Sequence, residues 1–317
     1  MAASSKRALV GAIAADLAIA LTKFVVGALT SSTVLFAEGV HSLVDSGNSG
    51  LMLFGSWRSK RPADDVHPFG YGMELYFWSF VVAMVVFGGG GLVSIYEGVR
   101  AFSHPHVVTK VWSNYVVIAV AALFETVSLV IGVREFSAYR REKRYAGSML
   151  TVMRASKDPA IFVTVLEDVA ALAGLAIAAL GVTLGHFLRM PIFDALASIC
   201  IGLLLIGEAL ILGVECRGLL IGEAARPIVI DKVRELLAGH GALGSLEGIR
   251  SLQLGPSSVL LLLRVRGTSG MLVEELERLV EEFERELRTA VPTISHVAFE
   301  LGAKPRNEVP PVRPRTG

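Results

Sequence analysis

The sequence predicts an α-helical membrane protein with six transmembrane helices, followed by a small α+β domain. Its 317 residues are 53% hydrophobic and 19% charged, and the mean hydropathy is +0.58. Because charged residues make up about a quarter of a typical soluble domain, this composition excludes an ordinary soluble protein. Six apolar stretches reach the length of about 20 residues that a helix needs to cross a bilayer. They cover approximately residues 8–30, 33–56, 75–99, 112–134, 160–185 and 192–214.

The basic residues between these stretches predict the orientation in the membrane. If the N-terminus is cytoplasmic, the inner segments include Lys6, Arg7, Lys60, Arg61 and the run RREKR at 140–144. The opposite side then holds only Arg100, Lys110 and Arg189. The positive-inside rule therefore predicts a multi-pass protein of the cell (inner) membrane with both termini in the cytoplasm.

The composition changes to that of a soluble domain at about residue 217. The segments VIDKVRELL, IRSLQL, VLLLLRV, residues 274–288 and ISHVAFEL read in order as helix, strand, strand, helix and strand. This order favours a small antiparallel sheet covered on one face by helices. We expect a transmembrane domain at 1–216, a cytoplasmic domain at 217–302 and a disordered tail at 303–317, because the tail has little apolar surface to bury.

The second and fifth predicted spans contain groups of ionisable residues. A charge near the bilayer centre costs about 2.5–3.5 kcal/mol on insertion scales, so each such residue needs a partner or a function. In the second span His41 and Asp45 are four residues apart and share one helix face, with Glu38 one turn before His41. The fifth span contains Thr164, Glu167 and Asp168. Lys23 in the first span can pair with Asp16 or with Glu38, and for those three residues a structural role is favoured.

This set of side chains is suited to a divalent cation. A histidine and a carboxylate on one helix, facing a carboxylate on another, offer the nitrogen and oxygen ligands that zinc and related first-row metals accept. Neutral His41 with ionised Asp45 and Asp168 carries two negative charges, which a dication cancels. Protons compensate the same charge when no metal is bound, so metal and protons are expected to compete. The alternative is that these groups form buried polar bridges between helices.

Three segments resemble the cation diffusion facilitator family of metal–proton antiporters: AEGVHSLVDSGNS, DDVHPFGYGMELYFWS and VSIYEGVRAFSHP. The resemblance extends from the first span to about Gly302. It implies six spans, a cytoplasmic domain of ferredoxin-like, metallochaperone-like fold, and a homodimer.

The resemblance also implies a transport site with two ligands from the second span and two from the fifth, each pair spaced i, i+4. His41 and Asp45 match the first pair, and Asp168 matches one member of the second. Thr164 stands where many zinc-transporting relatives have a histidine. With LEDVAA following, the fifth span is most similar to the branch that includes the mitochondrial zinc exporter. Glu167 is then a further candidate ligand, although one residue turns a helix by about 100° and both carboxylates cannot point squarely inward.

Accessory metal sites of the family match less well. Asp64 and His67 match a loop site of some relatives, but Tyr71 occupies the position of its second histidine. The positions that bind metal in the cytoplasmic domain of zinc-sensing relatives hold Glu247, Leu263, Glu300 and Gly302. The resemblance therefore implies dimerisation, rather than metal sensing, for this domain.

The sequence as a whole predicts a secondary transporter that exports a divalent cation, with zinc favoured, from the cytoplasm in exchange for protons. It contains no HExxH, GxSxG or Walker pattern, so we expect neither an enzyme nor an ATP-driven pump, and we expect no resident cofactor. A net charge of +1 gives no basic field for nucleic acid. Two alternatives remain: the same antiporter with Mn²⁺, Fe²⁺ or Co²⁺ as substrate, or a regulatory or scaffolding protein of the same fold that does not transport.

Overall fold

The computed structural model describes residues 3–104, 110–142, 151–152, 156–240, 245–266 and 270–302. The tail at 303–317, which the sequence predicts to be disordered, lies outside the described residues. The chain forms two compact units, Met1–Ile221 and Gly222–Gly317.

Long helices form the first unit. They are α1 (Ala3–Thr30), α2 (Thr33–Arg58), α3 (Glu74–Val85), α4 (Val93–Ser103), α5 (Val111–Glu142), α6 (Pro159–Leu188) and α7 (Ile192–Ile221). A π-helical segment, Val86–Leu92, joins α3 to α4, so that the three run as one continuous helix.

Among the described residues, four helical segments are long and apolar enough to cross a membrane. They are Glu74–Ser103, Val111–Glu142, Phe162–Leu188 and Ile192–Ile221. The chain is therefore a helical multi-pass membrane protein. Helices α1 and α2 have 28 and 26 residues, which also exceeds the roughly 20 residues of a crossing, but α2 carries several ionisable residues along its length.

Glycines allow α4 and the π-helical segment to pack closely on α7. A Cβ atom at Gly98 would lie 2.9 Å from the carbonyl oxygen of Ala195, and a Cβ atom at Gly91 would lie 2.6 Å from the Cγ1 atom of Ile206. The glycine run at 88–91 is typical of a bend or a close helix approach, and in the structure it coincides with the π-helical turn and with this contact.

The beginning of α2 is fixed by a carboxylate of α7. Asp194, which is buried, accepts hydrogen bonds from the Ser32 hydroxyl at 2.7 Å and from the backbone nitrogens of Thr33 and Val34. These nitrogens belong to the first turn of α2 and have no partner within the helix. Asp194 therefore holds α2, and the polar face that α2 carries, in a defined position relative to α7.

The second unit contains α8 (Pro227–Gly239), β1 (Ser245–Gly255), β2 (Ser258–Arg266), α9 (Val273–Ala290) and β3 (Ile294–Leu301), in the predicted order. Strands β1 and β2 are antiparallel, but β2 and β3 are parallel, so the prediction of an antiparallel sheet is wrong for the last strand. The reason is that α9 connects β2 to β3 as a crossover, which returns the chain to the same end of the sheet. Apolar residues of α8, α9 and the strands form the core, including Val233, Leu261, Leu263, Phe283 and Leu287.

Candidate metal centre in the helical unit

The predicted pair on α2 lies on one helix face. The Nε2 atom of His41 is 3.5 Å from the Oδ2 atom of Asp45. His41 is only 1% exposed, and neither of its ring nitrogens has a hydrogen-bond partner among the described residues. A buried imidazole without hydrogen bonds is costly, so its ring nitrogens have unused capacity to bind a ligand.

The two acidic residues of α6 turn to different neighbours. Asp168 accepts a hydrogen bond from the Ser128 hydroxyl on α5 at 2.9 Å, whereas Glu167 accepts one from the Asn48 amide on α2 at 2.9 Å. This divergence follows from the rotation of about 100° between consecutive helical residues. The Oδ2 atom of Asp168 has no hydrogen-bond partner within the described part of the chain.

A small cavity of about 80 Å³ brings polar side chains of four helices together. It is bounded by α1, α2, α5 and α6, and its lining consists of Asp16, Ile19, Ser42, Asp45, Ser49, Glu125, Ser128, Thr164, Glu167 and Asp168. Each of the four helices contributes a carboxylate, and no lysine or arginine is among these lining residues. The cavity therefore concentrates negative charge within an otherwise apolar bundle.

The predicted ligands are brought into one region but not to coordination distance. His41 does not line the cavity, but it contacts Asp45, which does line it. Within the described residues, no group of three His, Cys, Asp or Glu side chains is arranged to hold one metal ion. Side chains of α2 and α6 would have to move toward each other to enclose a cation.

A buried lysine stands beside the cavity. The Nζ atom of Lys23 donates to the Glu38 carboxylate at 2.9 Å and to the Ser42 hydroxyl at 2.7 Å. Both members of this ion pair are 0% exposed. Of the two partners that the sequence allowed for Lys23, the structure has Glu38 and not Asp16. The charge of Lys23 is therefore balanced by Glu38, while the carboxylates of the cavity wall lie outside this pair.

Sequence reasoning missed several polar residues of this region, among them Glu125 and Ser128 on α5, which line the cavity, and Glu208 on α7, which is 5% exposed. Glu125 and Glu208 fall inside the predicted fourth and sixth spans. The signal that singled out Asp45 and Asp168, an ionisable residue within an apolar stretch, applies equally to both glutamates. Ser128 has no comparable signal, because serine is common in membrane helices.

The loop between α2 and α3 holds the other predicted ligands, Asp64 and His67. Asp64 accepts hydrogen bonds from the backbone nitrogens of His67 at 2.7 Å and Val66 at 3.1 Å, and from the Tyr71 hydroxyl at 2.6 Å. The Tyr71 bond is the main cause that holds the pKa of Asp64 below its ordinary value, and the same bond raises the pKa of Tyr71. Asp64 thus accepts hydrogen bonds from its own loop, and the Tyr71 hydroxyl is one of the donors.

In the second unit the positions compared with metal-sensing relatives form ion pairs. Arg264 lies 3.5 Å from Glu247 and 4.0 Å from Glu300, and Glu247 also pairs with Arg266. Leu263 is buried in the core of the sheet. The guanidinium groups of Arg264 and Arg266 therefore lie beside these carboxylates.

Comparisons with known proteins agree with the motifs. Residues 9–221 match the model of the cation efflux transmembrane domain. The chain is 30% identical over 238 residues to the mitochondrial proton-coupled zinc antiporter SLC30A9 of Homo sapiens, which covers 75% of this chain and 41% of that protein. It is 32% identical over 254 residues to metal tolerance protein C4 of Arabidopsis thaliana, covering 80% of this chain and 55% of that protein.

A bacterial relative matches over a greater length. The putative transporter MamV of Paramagnetospirillum magneticum is 26% identical over 294 residues, which covers 90% of this chain and 80% of that protein. The chain spans only about half the length of the human and Arabidopsis relatives. The family model nevertheless covers the whole helical unit from residue 9 to its end. The resemblance inferred from the motifs is confirmed, and the chain belongs to the cation diffusion facilitator family of metal transporters.

Proposed function

We propose that this protein exports a divalent cation, zinc, from the cytoplasm in exchange for protons. The observation that carries the proposal is the buried cavity in which Asp45 of α2 and Asp168 of α6 lie together, with His41 in contact with Asp45. The human relative is named a proton-coupled zinc antiporter, which supports the same cargo and the same exchange.

The proposed ligands are His41, Asp45 and Asp168. Neither ring nitrogen of His41 nor the Oδ2 atom of Asp168 has a hydrogen-bond partner among the described residues, so the one unprotonated nitrogen of neutral His41 and the Asp168 oxygen are available as ligands. Glu167, Thr164 or a water completes the four ligands that zinc prefers. Ser128 orients Asp168 through its hydrogen bond, as outer-shell partners of metal ligands generally do.

Exchange follows from charge balance. A dication cancels the charge of two carboxylates, and protons cancel it when the metal leaves, because unpaired charge in a low-dielectric interior is unfavourable. If the cavity opens in turn to each side of the membrane as the helices rock, metal entering from one side displaces protons that came from the other. The ligand pairs are on different helices, so this motion can assemble and separate them.

We extend the proposal to the architecture of the family. Helices α1 and α2 would be two further spans, which gives six spans in a domain at 1–216. Both termini would lie in the cytoplasm, and the membrane would be the cell (inner) membrane. The domain at 217–302 would be a ferredoxin-like cytoplasmic module through which two copies form a homodimer. The charge asymmetry of the loops supports the orientation, and the mixed β1–β2–β3 sheet covered by two helices is compatible with the module.

The test is uptake of metal into proteoliposomes under an imposed pH gradient. Zn²⁺, Mn²⁺, Fe²⁺ and Co²⁺ are compared, because one histidine with carboxylates accepts all four. We expect zinc flux that depends on the gradient and is lost in His41→Ala, with the dimer and the folded state retained. Absence of flux for every metal from folded protein would contradict the proposal.

A member of the family that regulates or scaffolds without transport is the second candidate. It is favoured by Thr164 in the place of a histidine and by the absence, within the described residues, of three side chains arranged around one metal position. Proton release separates the two candidates. A transporter whose ligands must lose protons releases them when zinc is added, whereas a scaffold has no reason to do so.

A further inference from the structure

Glu208, in the middle of α7, has no partner for its charge among the residues that the structure describes. It is 5% exposed, and neither of its carboxylate oxygens has a hydrogen-bond partner among the described residues. Asp45 is the charged side chain that acts on it electrostatically, and its charge has the same sign. A carboxylate in this situation is costly within a membrane domain, so a function for Glu208 is the default hypothesis.

Glu167 of α6 and Asn48 of α2 are the polar groups next to this carboxylate. Glu208 is the charged side chain that acts most strongly on Glu167, and Glu167 is hydrogen bonded to the Asn48 amide nitrogen at 2.9 Å. Asn48 is 0% exposed, and its Oδ1 atom has no hydrogen-bond partner in the described part of the chain. The helices that carry these three residues, α2, α6 and α7, pack on one another pairwise, and all three side chains are buried.

The buried Lys23 is paired with a different carboxylate. Lys23 is hydrogen bonded to Glu38 and Ser42, and the ion pair with Glu38 uses its charge. Two carboxylates and one amide oxygen therefore share a buried region, and the two carboxylates together carry two negative charges. A dication would cancel that charge and bind the unpartnered oxygens.

We propose that Asn48, Glu167 and Glu208 form a second binding position for the transported divalent cation, distinct from His41, Asp45 and Asp168. The inference rests on the proposed function and deepens it. The ligand set contains only oxygen, which suits harder cations such as Mn²⁺ better than a site with a histidine does. It also assigns Glu167 to a position of its own, in agreement with its hydrogen bond to α2, whereas Asp168 is bonded to α5.

Two positions in one bundle have a consequence for turnover. Glu167 lines the same cavity as Asp45 and Asp168, so the two positions adjoin at this residue. Two dications held close together repel each other, and this repulsion promotes release of the ion that is nearer the exit. Loss of the second position should therefore slow transport more than it weakens binding at the first.

The experiment is calorimetric titration of the full-length, detergent-purified protein with Mn²⁺. We expect two ions per chain for the wild type, one for Glu208→Gln and one for Asp45→Ala, because each variant removes a ligand of a different position. Glu215→Gln removes a carboxylate from the same helix two turns further along and should keep two ions. One ion for the wild type, lost in Asp45→Ala and retained in Glu208→Gln, would overturn this inference and leave the proposed function standing. No bound ion in the wild type would overturn both.

If Glu208→Gln does not fold, two further measurements test the second binding position. Asn48→Leu, which has a similar volume but no ligand oxygen, should also bind one ion per chain. In the wild type saturated with Mn²⁺, electron paramagnetic resonance should show dipolar broadening from two nearby ions, and this broadening should be absent at a ratio well below one ion per chain. A spectrum of isolated Mn²⁺ at saturation would overturn the inference without any variant.

Discussion

Two pairs of aspartate and histidine in this molecule look alike in sequence and differ in their surroundings. In the helical unit Asp45 and His41 are 3.5 Å apart, and the histidine is buried without a hydrogen bond among the described residues. In the loop before α3, Asp64 and His67 are 3.7 Å apart and about half exposed, and Asp64 accepts three hydrogen bonds from its own loop. The same residue types thus form a pair with a buried, unsatisfied histidine in one place and a turn with a hydrogen-bonded aspartate in the other.

Ligand type and spacing therefore do not by themselves identify a metal site. A carboxylate whose lone pairs already accept from the backbone and from Tyr71 has little to gain from a cation. A buried imidazole and carboxylates that lack hydrogen-bond donors are stabilised much more strongly by a bound cation. The cavity and the loop therefore differ in whether their polar atoms have hydrogen-bond partners, and variants of the two regions should differ accordingly.

The largest difference is expected between two alanine variants. Asp45→Ala should lower zinc transport by more than about 100-fold, because the loss of a direct ligand exceeds the 10–100-fold effect of an outer-shell partner. Asp64→Ala should retain most of the transport activity, since Asp64 serves the loop. Both are measured as initial zinc flux into proteoliposomes at equal protein content, with size-exclusion chromatography as the control for folding. Equal losses in the two variants would break the comparison.

Breaking the ion pair beside the cavity should destabilise the protein more than breaking the ion pair beside the loop. Lys23→Met leaves Glu38 buried and unpaired, so we expect the free energy of unfolding to fall by about 3–5 kcal/mol. Arg58→Met breaks the Arg58–Glu74 pair, which is partly exposed near the loop, and should lower the free energy of unfolding far less. The measurement is denaturant unfolding in detergent. The double variant Lys23→Met/Glu38→Leu should recover part of the loss, and no recovery would mean that Lys23 stabilises the bundle in another way.

Ser128→Ala tests whether an outer-shell partner orients Asp168. Removal of its 2.9 Å hydrogen bond to Asp168 should weaken zinc binding by about 10-fold, at the lower end of the range for outer-shell groups. Ser103→Ala is the matched control, because the Ser103 hydroxyl only donates to the backbone carbonyl of Val99 on an exposed part of α4. Isothermal titration measures both. Unchanged affinity in Ser128→Ala would remove Asp168 from the proposed ligands.

The smallest effect is expected for Tyr71→Phe. Because the Tyr71 hydroxyl bond is the main reason for the lowered pKa of Asp64, the variant should raise that pKa toward its ordinary value of 3.8. A lowered carboxyl pKa stabilises the loop at pH values above the ordinary pKa, and this stabilisation is lost as the pH falls through the folded-state pKa. The loop of the variant should therefore lose its order at a higher pH than the wild-type loop. An NMR titration of labelled aspartate measures the shift, and zinc transport near neutral pH should not change.

Much of the fold could be predicted from the sequence because it depends on local patterns. Apolar stretches locate the helices, and the strand-like segments VLLLLRV and ISHVAFEL locate strands that the structure confirms. The parallel pairing of β3 was missed, because the direction of a strand depends on the connection through α9 and not on the strand's own residues. The partner of Lys23 and the cap that Asp194 forms on α2 also depend on contacts between helices distant in sequence.

The candidate site shows the same division. The spacing of His41 and Asp45 predicts a shared helix face, and the 100° step between Glu167 and Asp168 predicts that they diverge. Which neighbours they meet, Asn48 on α2 and Ser128 on α5, depends on how the helices pack. Glu208 was within reach of sequence reasoning, since its position in an apolar span is the same signal that identifies Asp168.

X-ray absorption at the zinc edge distinguishes zinc bound to His41 from zinc bound to His67 of the loop. Protein loaded with less than one zinc per chain should show one imidazole nitrogen at about 2.0–2.1 Å with oxygen ligands completing the shell. The outer scattering of the imidazole ring should disappear in His41→Ala and persist in His67→Ala. Imidazole scattering that survives in His41→Ala and disappears in His67→Ala would contradict the account.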